Sequence, residues 1–223
     1  MKRGAETAAW SVLSTLVLIL AASVACAGET LGPEDIDIRQ LEMEVVRELN
    51  AVRANPGGYL PHLREMLKHF HGKEFRYPGA VPVVTQEGAS AVAEAIRFLE
   101  KARPVQTLTL SRGMSRGARD HVEDQGSMGG VGHLSAEGSQ PWERISRYGT
   151  WRKAAGENIS YGKSRPREVL TSLIIDDGVP GRGHRRNIFN PGFRFVGVGW
   201  GAHAAYRTMC VIVFAGEYVE KKA

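Results

Sequence analysis

The sequence predicts an α+β protein with a largely antiparallel sheet, and three observations predict it. Apolar residues recur at helical spacing through the N-terminal half, as in Leu41, Val45, Val46, Leu49 and Val52, and again in Val92, Ile96 and Leu99. The C-terminal part instead carries two strand-like segments: Phe193 to Trp200, alternating around Gly197 and Gly199, and Met209 to Gly216. Between them and the early helices lies a glycine-bounded strand, Gly156 to Gly162, followed by one more helical stripe. Helices first, a helix held between strands, then a hairpin is the order of an α+β chain.

Each element has its own signals. Residues 28–40 read as a polar lead-in with Gly32-Pro33, and the first helix ends near Ala54 at the breaker Asn55-Pro56-Gly57-Gly58. Tyr59, Leu60, Leu63, Leu67 and Phe70 mark a second set of helical turns. Residues 71–84 read as an exposed loop, and a third helix opens near Thr85 and Gly88. Ser111 is placed as the N-cap of a helix whose apolar face is Met114, Ala118, His121 and Val122. A glycine-rich flexible loop, Gly129-Gly130-Val131-Gly132-His133-Leu134-Ser135, follows it. It is no phosphate loop, because no Lys-Ser/Thr follows and no strand precedes. Pro141 starts a short helix, and Pro166 opens another with the stripe Val169, Leu170, Leu173 and Ile174. The seven residues 201–207 then connect the hairpin strands.

Composition limits the function classes. At 223 residues, 43% hydrophobic and 24% charged, the chain suits one globular domain of ordinary size. Residues 1–27 differ in kind: Lys2 and Arg3, then an apolar run from Trp10 to Val24, then the small residues Ala25-Cys26-Ala27. That is the pattern of a secretory signal peptide, cleaved after Ala27 or Ala25. Ser23-Val24-Ala25-Cys26 also approximates a lipobox, which would make Cys26 a lipid anchor. The chain is thus expected to be secreted, periplasmic or held at the cell envelope, touching a membrane only through this segment or a lipidated Cys26. Removing the segment takes 29 basic and 24 acidic residues to 27 and 23, leaving +4, a weak attraction to anionic surfaces. No run of Lys and Arg interleaved with aromatics points to nucleic acid. Two cysteines, one of them Cys26, exclude a disulfide framework, and Cys210 in its apolar strand reads as a buried small hydrophobe.

The polar residues concentrate in Ile175-Asp176-Asp177-Gly178-Val179-Pro180-Gly181-Arg182-Gly183-His184-Arg185-Arg186. Asp176 and Asp177 stand seven residues after Val169 and Leu170, about two helical turns, so both carboxylates are expected near the inward stripe. They also fall at a helix C-terminus, where the macrodipole disfavours anions, so each needs a partner: Arg182, His184 or a cation. The bland reading is that one of them pairs with Arg182 or caps the turn. Arginines beside His184 favour its neutral imidazole, the form that binds metals and accepts protons. Glu157, an acid in a short apolar strand, is costly there unless paired. His62, His69, His71 and His203 read as structural or surface histidines, and His121 as a buried, hydrogen-bonded one.

Taken in order, His133, Gly156-Glu157-Asn158-Ile159, a helix ending in an acid, Gly183-His184 and Phe195-Val196-Gly197-Val198-Gly199 resemble the CAP superfamily, in its bacterial, SCP-like branch. The resemblance spans residues 41–216, is best over 108–216, and places a CAP domain at 41–220. It implies an α-β-α sandwich with a central cleft holding two histidines and two acids. His133, Glu157 and His184 match three of the four. Asp176 matches the second acid, shorter than the family's glutamate and preceded by Leu173 where the family has tryptophan; Asp177 is the alternative.

Two function classes follow. In the first, the chain is an exported module whose cleft binds a lipid, a cell-wall glycan, a divalent cation or a partner protein at the cell envelope. In the second, His133, Glu157, Asp176 and His184 form a hydrolase site, a peptidase or esterase. Such a site uses either Zn²⁺ held by His133 and His184 or Glu157 or His133 as general base, with Ser135 or Ser160 as nucleophile.

Overall fold

A computed structural model describes residues 33–79 and 81–222. The expected signal peptide at 1–27, the lipobox around Cys26 and the start of the lead-in lie outside the described residues. Among the described residues, no helix is long and apolar enough to cross a membrane.

The architecture is the expected α+β sandwich, a sheet between two helical layers. Helix α1 covers Pro33–Ala54. It therefore takes up most of the segment read as a lead-in, because Pro33 suits the first turn and nothing after it breaks the helix. A 3₁₀ turn at Pro56–Tyr59 and α2, Leu60–Leu67, follow. The segment expected to be an irregular loop carries a small antiparallel sheet of β1 (Phe70–His71), β2 (Glu74–Phe75) and β3 (Val83–Val84). Then come α3 (Ala89–Lys101), β4 (Thr109–Leu110), α4 (Arg112–Gly126), α5 (Pro141–Ser146), β5 (Gly149–Tyr161), α6 (Pro166–Ile175), α7 (Gly183–Ile188), β6 (Phe195–His203) and β7 (Arg207–Glu220). Ser111 caps α4 as its sequence suggests, its Oγ accepting from Met114 N at 3.1 Å.

The main sheet runs β4-β6-β7-β5, with β4 parallel to β6 and the other pairs antiparallel. β5 is an edge strand and begins seven residues earlier than its apolar core suggests, passing a bulge between Arg152 and Ala155 where Lys153 takes φ 71°. The hairpin is also tighter than expected: His203 pairs with Arg207, so only residues 204–206 form the turn. His203, 2% exposed, fills it, its Nδ1 accepting from Ala205 N and Tyr206 N.

The two faces of β6 are built differently. Val196, Val198 and Trp200 join the larger core with α1, α3 and α6. The alternate residues Gly197, Gly199 and Gly201 face α4, where the opposite core gathers Met114, Ala118 and Val122. A Cβ on Gly199 would lie 2.7 Å from the backbone of Ala118 and Arg119, and one on Gly197 closer still to Met114 and Ser115. The helix thus rests on bare backbone, which only glycine permits. Arg53, fully buried on α1, donates to the carbonyls of Gln106 (2.8 Å) and Asn190 (3.2 Å), tying α1 to the segments that lead into β4 and β6.

Candidate functional site

β5 carries the first half of the site. Its alternation sends Glu157, opposite Val213, to the α4 side, and Asn158, opposite Ile212, to the α6 side. Glu157 is almost wholly buried and has two partners. Its Oε1 accepts from His133 Nδ1 at 2.9 Å, and its Oε2 accepts from Arg144 Nη2 at 2.6 Å. Arg144, on α5 and 1% exposed, also donates through Nη1 to the carbonyls of His133 (3.0 Å) and Ser139 (2.9 Å). Ring and backbone of His133 are therefore held by one closed circuit of hydrogen bonds. The expectation of a flexible loop here is corrected. His121 Nε2 (2.9 Å) and Gln125 Nε2 (3.1 Å) donate to Gly132 O, Gly132 N donates to Tyr161 Oη (3.0 Å), and His203 Nε2 donates to Gly130 O (2.7 Å). Burial among these groups lowers the His121 pKa, which suits its role as a neutral donor.

The second half lies between α6 and α7. Asp176 is not a helical residue: it terminates α6 in the left-handed region at φ 58°. That turn breaks the helical phase, so the two aspartates point apart. Asp176 Oδ1 accepts from His184 Nδ1 at 2.6 Å, and its Oδ2 accepts from His184 N (2.9 Å) and Arg185 N (3.3 Å). The expected conflict with the α6 dipole does not arise, because the carboxylate sits instead on the first amides of α7. Asp177 is turned toward α3, accepting from Gln86 N (2.7 Å) and Glu87 N (2.8 Å), away from the histidines. It ties the segment just ahead of α3 to the turn after α6.

The two halves flank one point on the edge strand. Asn158 Nδ2 donates to His184 O (3.0 Å), and Asn187 Nδ2 donates to Asn158 Oδ1 (2.9 Å) and Glu157 O (3.3 Å), so α7 lies against residues 157–158. Arg144, Asn158 and Asn187 are the functional-site neighbours that sequence reasoning did not single out. The run Gly156-Glu157-Asn158 was the available signal for Asn158, since a fully buried asparagine in a strand must spend its amide somewhere.

A family model for the cysteine-rich secretory protein family, CAP, matches residues 46–217, most of the chain. The chain belongs to the CAP family. The CAP chain is also 29% identical over 109 residues to the uncharacterized protein YkwD of Bacillus subtilis (strain 168), covering 49% of itself and 40% of that relative. It thus spans less than half the length of this curated relative. Among solved structures it is similar to an extracellular SCP-domain protein of Bacillus anthracis (20% identity, 57% of this chain and 37% of that one, TM-score 0.41). It is also similar to an outer surface protein of Borrelia burgdorferi (17% identity, 56% and 86%, TM-score 0.43).

In this CAP domain the donor set for a metal can be tested. Zinc sites take three or four protein ligands. All four carboxylate oxygens of Glu157 and Asp176 already accept hydrogen bonds. That leaves the two imidazole Nε2 atoms. Among the described residues no group of three or more His, Cys, Asp and Glu side chains is placed to hold a metal ion. The residues present do not fit the expected Zn²⁺ held by His133 and His184. Neither expected nucleophile meets a site histidine: Ser135 Oγ accepts from Ser139 N at 2.8 Å, and Ser160 Oγ lies 3.3 Å from Ser172 Oγ.

The arginines flanking His184 direct their charge elsewhere. Arg185 forks onto Glu94, and Arg182 donates to Glu87 (2.6 and 2.7 Å), Glu94 (3.2 Å) and Asp176 O (2.7 Å). The Arg182 guanidinium, with Gly178 N, holds the Glu87 carboxyl down at about 2 against an ordinary 4.5. A depressed carboxyl stabilises the fold fully above its unfolded value and loses that contribution as pH falls through the folded one. The α3–α7 clamp is therefore expected to weaken between pH 4.5 and 2. Glu87→Gln should flatten that stretch of the stability curve, measured as urea midpoints across the interval; an unchanged acid slope would remove Glu87 from the account.

Proposed function

We propose that this CAP-family chain is an exported binding domain that acts at the cell envelope, taking a ligand through His133 and His184. The ligand's recognised chemistry is the hydrogen-bond-donating hydroxyl, as presented by a cell-wall glycan or a polar lipid headgroup. One observation carries the reading. Every oxygen of both site carboxylates accepts a hydrogen bond from inside, and each acid fixes the Nδ1 of an imidazole, so what the site offers outward is a pair of Nε2 acceptors. The His133 side chain is 49% exposed and that of His184 23%, against 1% for each acid. The export part of the reading rests on Lys2, Arg3 and the apolar run Trp10 to Val24.

A second reading has one feature in its favour. A carboxylate that orients an imidazole is also the supporting half of a general base, so a hydrolase acting through His133 or His184 on a bound water keeps a physical basis. One experiment separates the two. The mature chain and its His133→Ala/His184→Ala variant are tested against peptidoglycan fragments and phospholipid vesicles for thermal stabilisation, and against peptide and ester panels for turnover. Binding predicts stabilisation that the variant loses, with no turnover in either protein; ligand at 100 times its Kd adds about 2.7 kcal/mol. Turnover lost in the variant would replace binding with hydrolysis; stabilisation retained in the variant would remove the histidines from the binding reading, and turnover retained in it would remove them from the hydrolase reading.

A further inference from the structure

We infer that Arg144 is a positioning residue that fixes which end of the residue 157 head group meets His133, and through it which nitrogen of the imidazole carries the proton. A guanidinium only donates hydrogen bonds, and a carboxylate only accepts. Arg144 Nη2 occupies Glu157 Oε2 at 2.6 Å, and the remaining oxygen, Oε1, meets His133 Nδ1 at 2.9 Å. A carboxylate imposes the hydrogen on Nδ1 whichever oxygen it turns, so Nε2 keeps its lone pair, and Arg144 decides the matter once the two ends of the 157 head group differ. The direction runs one way, from an arginine that is 1% exposed, through a buried acid, to a half-exposed ring. The bond from Arg144 to His133 O, 3.0 Å, stops the loop from escaping this arrangement by shifting its backbone.

The consequence appears when the acid becomes an amide of the same shape. Gln at 157 has one accepting and one donating end. Arg144 still requires an acceptor, so the amide oxygen must face Arg144 and the NH₂ must face His133. The ring can accept that NH₂ only by giving up the Nδ1 hydrogen, which moves the proton to Nε2. Glu157→Gln therefore turns the outward nitrogen of His133 from an acceptor into a donor without removing a hydrogen bond. Asp176 differs. Its second oxygen is held by the backbone amides of His184 and Arg185 rather than by a side chain, so no single substitution elsewhere releases it.

This deepens the binding reading, since an inverted Nε2 can no longer accept a ligand hydroxyl, but the proton position itself is read without any ligand. ¹⁵N side-chain spectra of the ligand-free chain at alkaline pH identify the protonated nitrogen of each histidine. The wild type is expected to show protonated Nδ1 on His133. Glu157→Gln is expected to exchange the two nitrogens completely, with the His184 signals unmoved. Glu157→Gln/Arg144→Gln, in which position 144 can also accept, is expected to give a mixture. A protonated Nε2 in the wild type would overturn the inference, as would a mixture or no exchange in Glu157→Gln. If the double variant does not fold, the single variant still decides, because an arginine without influence leaves the amide free to take either orientation. Complete exchange with unchanged ligand stabilisation would leave Arg144 in its role and remove His133 from the binding reading.

Discussion

Arg144→Met is expected to destabilise the fold by about 3–5 kcal/mol, the usual cost of removing one partner from a buried ion pair. For a chain of this size each kcal/mol lowers Tm by roughly 2–4 °C, so the loss is easily read by calorimetry. Glu157 would be left as a buried carboxylate with only His133 against it, the carbonyl of His133 would lose its donor, and that of Ser139 would keep Ser135 N alone. Arg144→Met/Glu157→Leu should be less destabilised than Arg144→Met alone, because the uncompensated charge goes with the second change. The pair as a whole is costly: Arg144 Nε is buried without a partner. A double variant as unstable as the single one would show that the carbonyl contacts, not the charge, carry the effect. The local outcome is also defined. Amide exchange in residues 130–135 should rise more than in β6 and β7, since the loop loses one of its anchors while the sheet loses none.

The second large effect falls on the sheet. Gly197→Ala is expected to cost about 3 kcal/mol or more, the upper range for overpacking, and to lower Tm by roughly 6–12 °C. The added methyl meets the backbone of Met114 and Ser115, which cannot rotate aside as a side chain does. Gly201→Ala is the control. Its nearest neighbour is the Val122 side chain, which can adjust, so the cost should be smaller. Comparable losses at both positions, by urea unfolding, would refute the claim that α4 rests directly on the strand.

These glycines show what was legible in the sequence. The alternation Val196-Gly197-Val198-Gly199-Trp200 exposes a strand with one large and one bare face, and the helical stripes of α1, α3, α4 and α6 follow from spacing alone. The order of His133, Glu157, Asp176 and His184 was readable, and the structure brings them together as two imidazole–carboxylate pairs. Three features were not readable. β5 begins at Gly149 through Arg152 and Lys153, whose charges hide a strand that pairs through its backbone. The two aspartates could not be told apart while they were assumed helical, because the left-handed turn at Asp176 has no glycine to announce it. Arg144 was hidden for a different reason. An isolated arginine on a short amphipathic helix reads as a solvated charge, and only the three-dimensional approach of Glu157 makes it a buried one.

The loop that carries His133 has a kinetic meaning. Its backbone groups are engaged by the chain's own Arg144, His121, Gln125, Tyr161 and His203. A site assembled in advance spends little free energy on ordering when a ligand arrives. Its association rate should rise in proportion to ligand concentration without reaching a plateau, as expected when no slow rearrangement precedes capture. Selectivity among ligands would then reside in how long each one stays.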